Sequence, residues 1–498
     1  MPGNPSQPRP RDSAAVATSV SATDHGRRLS PVDGSFLRLE SPQSHMHVGF
    51  SAVFAAPAGR PRPSVEALRE RAAGRLHEVP WCRWRLDPAP LGLSEPRWID
   101  DLQFDLRAHI VALTPPDDRV SNASFEALRS TVLSAPLDRS RPLWQIFLVP
   151  RLEDGRVGMV GKIHHALVDG LAALQIVNLV LDSEADVASQ PPVPWRPRGR
   201  PGPAGWALDA VTRTFADGAG ALRAGATAAT HPQAAVANAA RDAWRVLGAA
   251  AEEVLSPAPQ SALNAPIGAR RTLVGYHAGR DELRAARRVG GTLNDVGLAA
   301  VAGAVRALLQ HDGEQPPPEP LKAMVPVSTR RLGDTTAGNQ ISMITIALPV
   351  HLDSAVERLN WVRAQTKRLK QTDRSIGTQK LYQAAGLLPT PLRSPAAKAM
   401  ATPRQFNLTV SQSPAPRGSL YLLGCELEEV YSVVPIAQGH ALAIGMVRYR
   451  QELFFGCYAD PDALPEVHQL PALIETELQK LGRATSGPRA GDAPVSNS

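Results

Sequence analysis

Two adjacent histidines, His164 and His165, open the segment His164-His165-Ala166-Leu167-Val168-Asp169-Gly170. Imidazole titrates near neutral pH, so a neutral histidine can take a proton from a hydroxyl and later return it. Asp169, four residues beyond His165, can fix the local turn, and Gly170 removes side-chain bulk beside the ring. Two other readings stand beside this one. A histidine near a strand end can be a satisfied core residue, and histidines can bind metal. The segment lacks His-x-x-x-His spacing and the chain has no Cys-x-x-Cys, so no metal ligand is assigned.

The elements that must hold these residues are legible around them. Apolar runs at 143–150 and 156–163 flank Asp154-Gly155, a strong hairpin signal. After Gly170, the spacing of Leu171, Leu174, Ile176, Val177, Val180 and Leu181 is helical. The histidines therefore sit where a strand ends and a helix soon begins. Neighbouring side chains on an extended strand point to opposite faces, so one of the two histidines is the candidate base and the other a supporting neighbour.

Further along, 47–55 and 81–86 read as strands, and 65–76 and 124–133 as helices. In the second half the pattern predicts a helix over 295–310 and strands over 321–327, 340–350, 441–448 and 453–458. The fold class is α/β with two halves, and the expected division is a disordered tail at 1–28, an N-terminal subdomain at 29–190, a crossover at 191–269, a C-terminal subdomain at 270–482 and a second tail at 483–498. The segment 191–203 is rich in Pro and Arg and predicts extended chain, with Ala-rich helices after it.

The 498 residues are 43% hydrophobic and 20% charged, which excludes a largely disordered chain and predicts more than one domain. The net charge of +7 is modest, and its basic residues lack the aromatic interleaving of single-strand binders, so no nucleic-acid partner is expected. Three widely spaced cysteines, Cys82, Cys425 and Cys457, suggest reduced thiols in the cytoplasm. No apolar stretch reaches the ~18 residues of a membrane span, and 14–20 makes a poor signal sequence.

The histidine segment and six ordered blocks together resemble the bacterial wax ester synthase/diacylglycerol acyltransferases, in the coenzyme A-dependent acyltransferase superfamily with its His-His-x-x-x-Asp-Gly motif. The blocks are Leu29-Ser30-Pro31-Val32-Asp33 with Phe36-Leu37 and Glu40; His45-Met46-His47-Val48-Gly49; Pro136-Leu137-Asp138-Arg139-Ser140-Arg141-Pro142-Leu143-Trp144; Thr292-Leu293-Asn294-Asp295-Val296; Met324-Val325-Pro326-Val327-Ser328; and Gly338-Asn339-Gln340-Ile341-Ser342. The sequence departs from the family at Gln412-Ser413-Pro414-Ala415-Pro416, where a Ser-Asn-Val-Pro-Gly-Pro-like loop is usual, and at Arg448-Tyr449, where Ser-Tyr is common. Gly297, after Val296, stands where the family tends to have Val.

The resemblance implies two chloramphenicol-acetyltransferase-like subdomains with mixed sheets, joined by a long crossover, and an active-site tunnel between them. It implies an O-acyltransferase that uses acyl-coenzyme A as a substrate, needs no cofactor and passes the acyl group to diacylglycerol or a long-chain alcohol. His165 would be the base, with no acyl-enzyme, and Asp169 an anchor turned toward an arginine. Asn294, Asp295, Asn339 and Ser342 would shape the site; Thr292-x-x-Asp295 also reads as a helix cap, and Trp144 as core. A non-catalytic lipid-binding relative, or a condensation-type acyltransferase with another hydroxyl acceptor, is the alternative. Such an enzyme would touch the inner face of the membrane or a lipid inclusion peripherally. Trp206, Phe215 and Trp244, with Arg196, Arg198 and Arg200, are the candidate lipid contacts in the crossover; packing of its helices on the body is the competing reading.

Overall fold

A capped helix begins the fold. In α1 (Pro31–Leu39), the Ser30 hydroxyl accepts from Asp33 N–H, the Asp33 carboxylate reaches back to Ser30 N–H, and Pro31 occupies the first turn. This computed structural model describes residues 26, 29–57, 59–88, 95–167, 173–200, 202, 257–311, 315–328, 341–371, 398, 401–413 and 418–484. The chain continues through β1 (His47–Phe54), α2 (Val65–Arg75), β2 (Trp84–Asp87), β3 (Arg97–Asp100), β4 (Ile110–Ala112), α3 (Asn122–Ser134), β5 (Trp144–Val149), β6 (Val157–His164) and α4 (Ala173–Val180). The second half runs through β7 (Thr272–Ala278), α5 (Arg280–Ala286), α6 (Leu293–His311), β8 (Leu321–Ser328), β9 (Ile341–Leu348) and α7 (Ala355–Gln371). It closes with β10 (Leu408–Ser413), β11 (Tyr421–Leu422), β12 (Cys425–Val433), β13 (Leu442–Tyr449), β14 (Glu452–Ala459) and α8 (Leu470–Ala484).

The expected hairpin forms as β5 and β6, and Gly155 takes φ +87° in the turn between them, a backbone region suited to glycine. Every residue of β6 is buried, as befits a central strand covered on both faces. The run expected as a strand at 81–86 is corrected at its start: Pro80–Arg83 form a 3₁₀ turn, and the strand begins at Trp84. Proline fixes φ in the helical range and opens that turn.

Two six-stranded mixed sheets carry the core, ordered β11-β12-β1-β6-β5-β4 and β7-β14-β13-β10-β8-β9. The expected division by sequence, 29–190 against 270–482, does not divide the sheets. Strands β11 and β12 come from the second half yet complete the first sheet, with Gly49 opposite Val433 and Ser51 opposite Tyr431. A pattern of alternation gives a strand but not its partner, so this crossing was invisible in the sequence.

The crossing strand lies close over the second sheet. Gly445, Gly456 and Gly275 are cross-strand neighbours on β13, β14 and β7. A Cβ at Gly456 would stand 2.5 Å from the Ser432 carbonyl oxygen, and one at Gly445 would stand 2.9 Å from it. The Tyr431 ring occupies the space a side chain at Gly275 would need. This glycine patch lets β12 approach backbone to backbone.

Helix α6 is buried almost throughout, from Asp295 to Val305 and again at Leu308 and Leu309, and α8 packs against it and α5. Among the described residues no single helix is long and apolar enough to cross a membrane. Residues 183–200 form no helix or strand. Their last part, 195–200, lies along the β2–β3 hairpin, where the Arg83 guanidinium stands 4.7 Å from the Trp195 ring and Arg200 pairs with Asp87 at 2.9 Å. Arg200 thus faces a carboxylate of its own chain. Trp206, Phe215 and Trp244 lie outside the described residues.

Candidate active site

The histidine pair terminates β6, the strand hydrogen-bonded to both β1 and β5. His47, Lys162 and His164 share one face of the first sheet, because His47 lies opposite His164 and Lys162 is two residues away. His165 follows in a turn closed by the Leu167 N–H donating to the His164 carbonyl at 2.9 Å. Its own N–H donates to the Met46 carbonyl at 3.0 Å. Met46 holds φ +46°, a left-handed backbone that disfavours a residue with a Cβ by ~1–2 kcal/mol. Such a residue persists only where its surroundings over-determine it.

Those surroundings come from both halves. Ser41 and Ser44 pair through their backbones, and the Ser44 hydroxyl donates to the Ile436 carbonyl at 2.9 Å. Arg271, fully buried at the start of β7, donates to the Gln43 carbonyl and, at 2.9 Å, to the Gly268 carbonyl. Its own N–H donates to the Ser134 hydroxyl at 2.8 Å, so one residue ties the loop before β1 to α3 and the second sheet. The Tyr458 hydroxyl on β14 lies 3.3 Å from both His47 Nε2 and the Leu133 carbonyl.

The ring of His165 is stacked under Phe36 of α1, with centroids 3.9 Å apart and planes 8° from parallel. Burial pushes its pKa down to about 4; its own backbone hydrogen bond opposes that fall and His164 adds to it. The imidazole is therefore neutral at physiological pH, the state that can accept a proton. His47 lies well below its ordinary value through burial and the charge of Lys162. Lys162 is itself pushed down to about 8 by burial, and its ammonium donates to the Val132 and Ala135 carbonyls at 2.9 and 2.7 Å, closing the C-terminus of α3. His45, lowered chiefly by burial, donates from Nε2 to the Pro42 carbonyl at 3.0 Å. These two histidines are packing and turn residues.

The other expected site residues separate. Asp295 caps α6: Thr292 N–H and hydroxyl donate to its Oδ2 at 2.8 Å, and Asp295 N–H donates to the Thr292 hydroxyl at 3.2 Å. Thr366 on α7 donates to the second oxygen at 2.8 Å. The capping reading is thus realised, while Asn294 beside it is half-buried. Trp144 is a core residue, wholly buried, donating from Nε1 to the Cys82 carbonyl at 2.7 Å and stacked on His109. Ser342 lies in β9 opposite Val327. Asp169, Gly170 and Asn339 lie outside the described residues. The three cysteines are buried free thiols.

Sequence reasoning assigned no role to Phe36, Glu40, Arg139 or Arg271. The first two had a usable signal: four residues apart at the end of a capped segment, they lie on one helix face. Arg271 had none, because its partners are scattered along the chain.

The chain is similar to known proteins over most of its length. Residues 29–297 match the wax ester synthase/diacylglycerol acyltransferase catalytic domain, and residues 337–482 match the C-terminal domain of the same family. The chain is 29% identical over 468 residues to a probable diacylglycerol O-acyltransferase of Mycobacterium tuberculosis strain H37Rv, covering 91% of this chain and 95% of that one. It is 30% identical over 469 residues to a putative diacylglycerol O-acyltransferase of strain CDC 1551, covering 92% and 99%. Among solved structures, the wax ester synthase/diacylglycerol acyltransferase of Marinobacter aquaeolei VT8 superposes with TM-score 0.66 at 25% identity, over 92% of this chain and 99% of that one. The first condensation domain of the calcium-dependent antibiotic synthetase shares the fold, with TM-score 0.55 at 15% identity over 94% and 98%.

Proposed function

This chain belongs to the wax ester synthase/diacylglycerol acyltransferase family and is an acyltransferase, and from that premise we propose that it moves a long-chain acyl group from acyl-coenzyme A to the hydroxyl of diacylglycerol or of a long-chain alcohol, with His165 as base. The carrying observation is the neutral, stacked His165 at the end of a buried central strand. His165 takes the proton of the acceptor hydroxyl, and that oxygen attacks the thioester carbonyl carbon. The tetrahedral intermediate collapses, the carbon–sulfur bond breaks, and the coenzyme A thiolate leaves and receives the proton from the imidazolium. No acyl-enzyme forms, and acyl-coenzyme A is a substrate rather than a resident cofactor.

In this reading the reactants meet His165 in a tunnel between the two sheets. Asp169 is proposed to anchor the turn, Gly170 to leave space beside the ring, and Asn294, Asn339 and Ser342 to shape the site. The acceptors are sparingly soluble, so the enzyme works peripherally at the cytoplasmic face of the membrane or of a lipid inclusion. The test is an assay of the purified chain with palmitoyl-coenzyme A and either a diacylglycerol or hexadecanol, the products separated by thin-layer chromatography. Triacylglycerol, wax ester or both are expected; hydrolysis to free palmitate alone, or no turnover with either acceptor, would remove the proposal.

A further inference from the structure

Glu40 ends α1 with its side chain almost wholly buried, and its Oε2 stands 3.7 Å from His164 Nε2. The same oxygen accepts two donors from Arg139, at 2.6 Å from Nε and in a short contact from Nη2. Arg139 also donates to the Leu37 carbonyl at 2.9 Å, so it staples the carboxylate to the last turn of α1. Burial alone would raise the Glu40 carboxyl, yet His164 and Arg139 outweigh it and hold it below its ordinary value. The group facing His164 is thus a carboxylate.

The tautomer of His164 follows from its other nitrogen. The Ala166 N–H donates to His164 Nδ1 at 3.0 Å, so Nδ1 presents its lone pair and the proton of the neutral ring sits on Nε2. That proton faces Glu40. A carboxylate favours the Nε2–H form; without it the Nδ1–H form competes, and that form cannot accept from Ala166. The Ala166 bond lies inside the turn that carries His165. Helix α1 supplies the other restraint, since Phe36 on the same helix lies flat over the His165 ring.

We infer that Glu40, held by Arg139, is a positioning residue: it fixes the His164 tautomer, and through His164 the turn that aims His165. The inference rests on His165 being the base. The route predicts coupling rather than independent effects. In the full purified chain, Glu40→Ala is expected to lower kcat about tenfold, with KM for palmitoyl-coenzyme A within about twofold of wild type. Glu40→Gln, whose amide oxygen can still accept, is expected to recover part of the loss. Adding Glu40→Ala to His164→Ala is expected to lower kcat no further than His164→Ala alone. Losses that multiply in the double variant would overturn the inference, as would wild-type kcat in a folded Glu40→Ala.

Arg139→Gln, at a half-exposed position, keeps the test open if Glu40→Ala does not fold; kcat about threefold lower is expected, and an unchanged kcat counts against the inference. A second readout does not depend on turnover. In protein labelled with ¹⁵N-histidine, the His164 ring, identified by its absence in His164→Ala, should give the Nε2–H pattern in wild type and Nδ1–H admixture in Glu40→Ala. A pure Nε2–H ring in both would sink the inference whatever His165 does, whereas an inactive wild type would sink only the catalytic reading.

Discussion

The two sheets each have six strands, but one carries the histidine pair and the other carries a glycine patch. The first sheet is rich in titratable groups: His47, Lys162 and His164 lie on one face, and His165 follows its central strand. The second sheet meets it with Gly275, Gly445 and Gly456, over which β12 passes. The difference teaches how the work is divided. In the proposed reaction the first sheet supplies the base; the second supplies a surface flat enough to accept a strand of the first, and from it Arg271 and Tyr458 reach back to brace the loop and face beside the histidines.

The largest expected effect falls on the first sheet. His165→Ala should reduce turnover by ~10²–10⁴, the usual worth of a general base, with the melting temperature near wild type. His164→Ala should do less. Near-normal turnover in folded His165→Ala would erase the chemical distinction between the sheets.

Gly456→Ala tests the second sheet. The new Cβ meets a backbone oxygen, which cannot swing aside, so a loss of about 1–3 kcal/mol in denaturant stability is expected, with activity falling only as the folded fraction falls. A variant as stable as wild type would mean that the close approach of β12 is not a constraint.

The pH profile sharpens the comparison at one ring. With its pKa near 4, His165 stays in the base form, so kcat/KM should remain level down to about pH 5 and fall with a midpoint near 4. The unfolded chain takes up the same proton at its ordinary value near 6.5, so protonation favours unfolding and stability declines as pH falls from there toward 4. Circular dichroism at each pH separates the two effects. An acid limb near 6.5 in folded protein would show a ring solvated as in water.

Smaller changes are expected away from both features. Trp144→Phe removes the bond to the Cys82 carbonyl and should lower stability by about 1–2 kcal/mol while leaving kcat intact. Thr292→Ala removes half of the α6 cap and should cost about 1 kcal/mol, again with kcat intact. A fall in kcat without a fall in stability would bring either residue into the reaction.

Local patterns determined much of what is seen. The apolar runs and the turn at 143–163 gave β5 and β6 to within a residue, because a hairpin is closed by its own neighbours. The Thr292-x-x-Asp295 cap and the helix after it are equally local, and α6 forms over Leu293–His311. The order of blocks gave the family, which the comparisons bear out. Helices α1, α5, α7 and α8 went unassigned, although Ser30, Pro31 and Asp33 carry every signal of a helix start.

Only the tertiary structure decided what depends on distant residues. Strand Cys425–Val433 went unassigned in the sequence, and its partner is chosen by backbone bonding to β1 and by the space above Gly456. The Phe36 ring over His165, the carboxylate of Glu40 facing His164 and the Arg271 bond to Gln43 each join residues far apart in the chain. The histidine pair could be singled out because its residue types and spacing are local. Its burial, tautomer and pKa could not be read there, because those are set by whatever the fold packs around it.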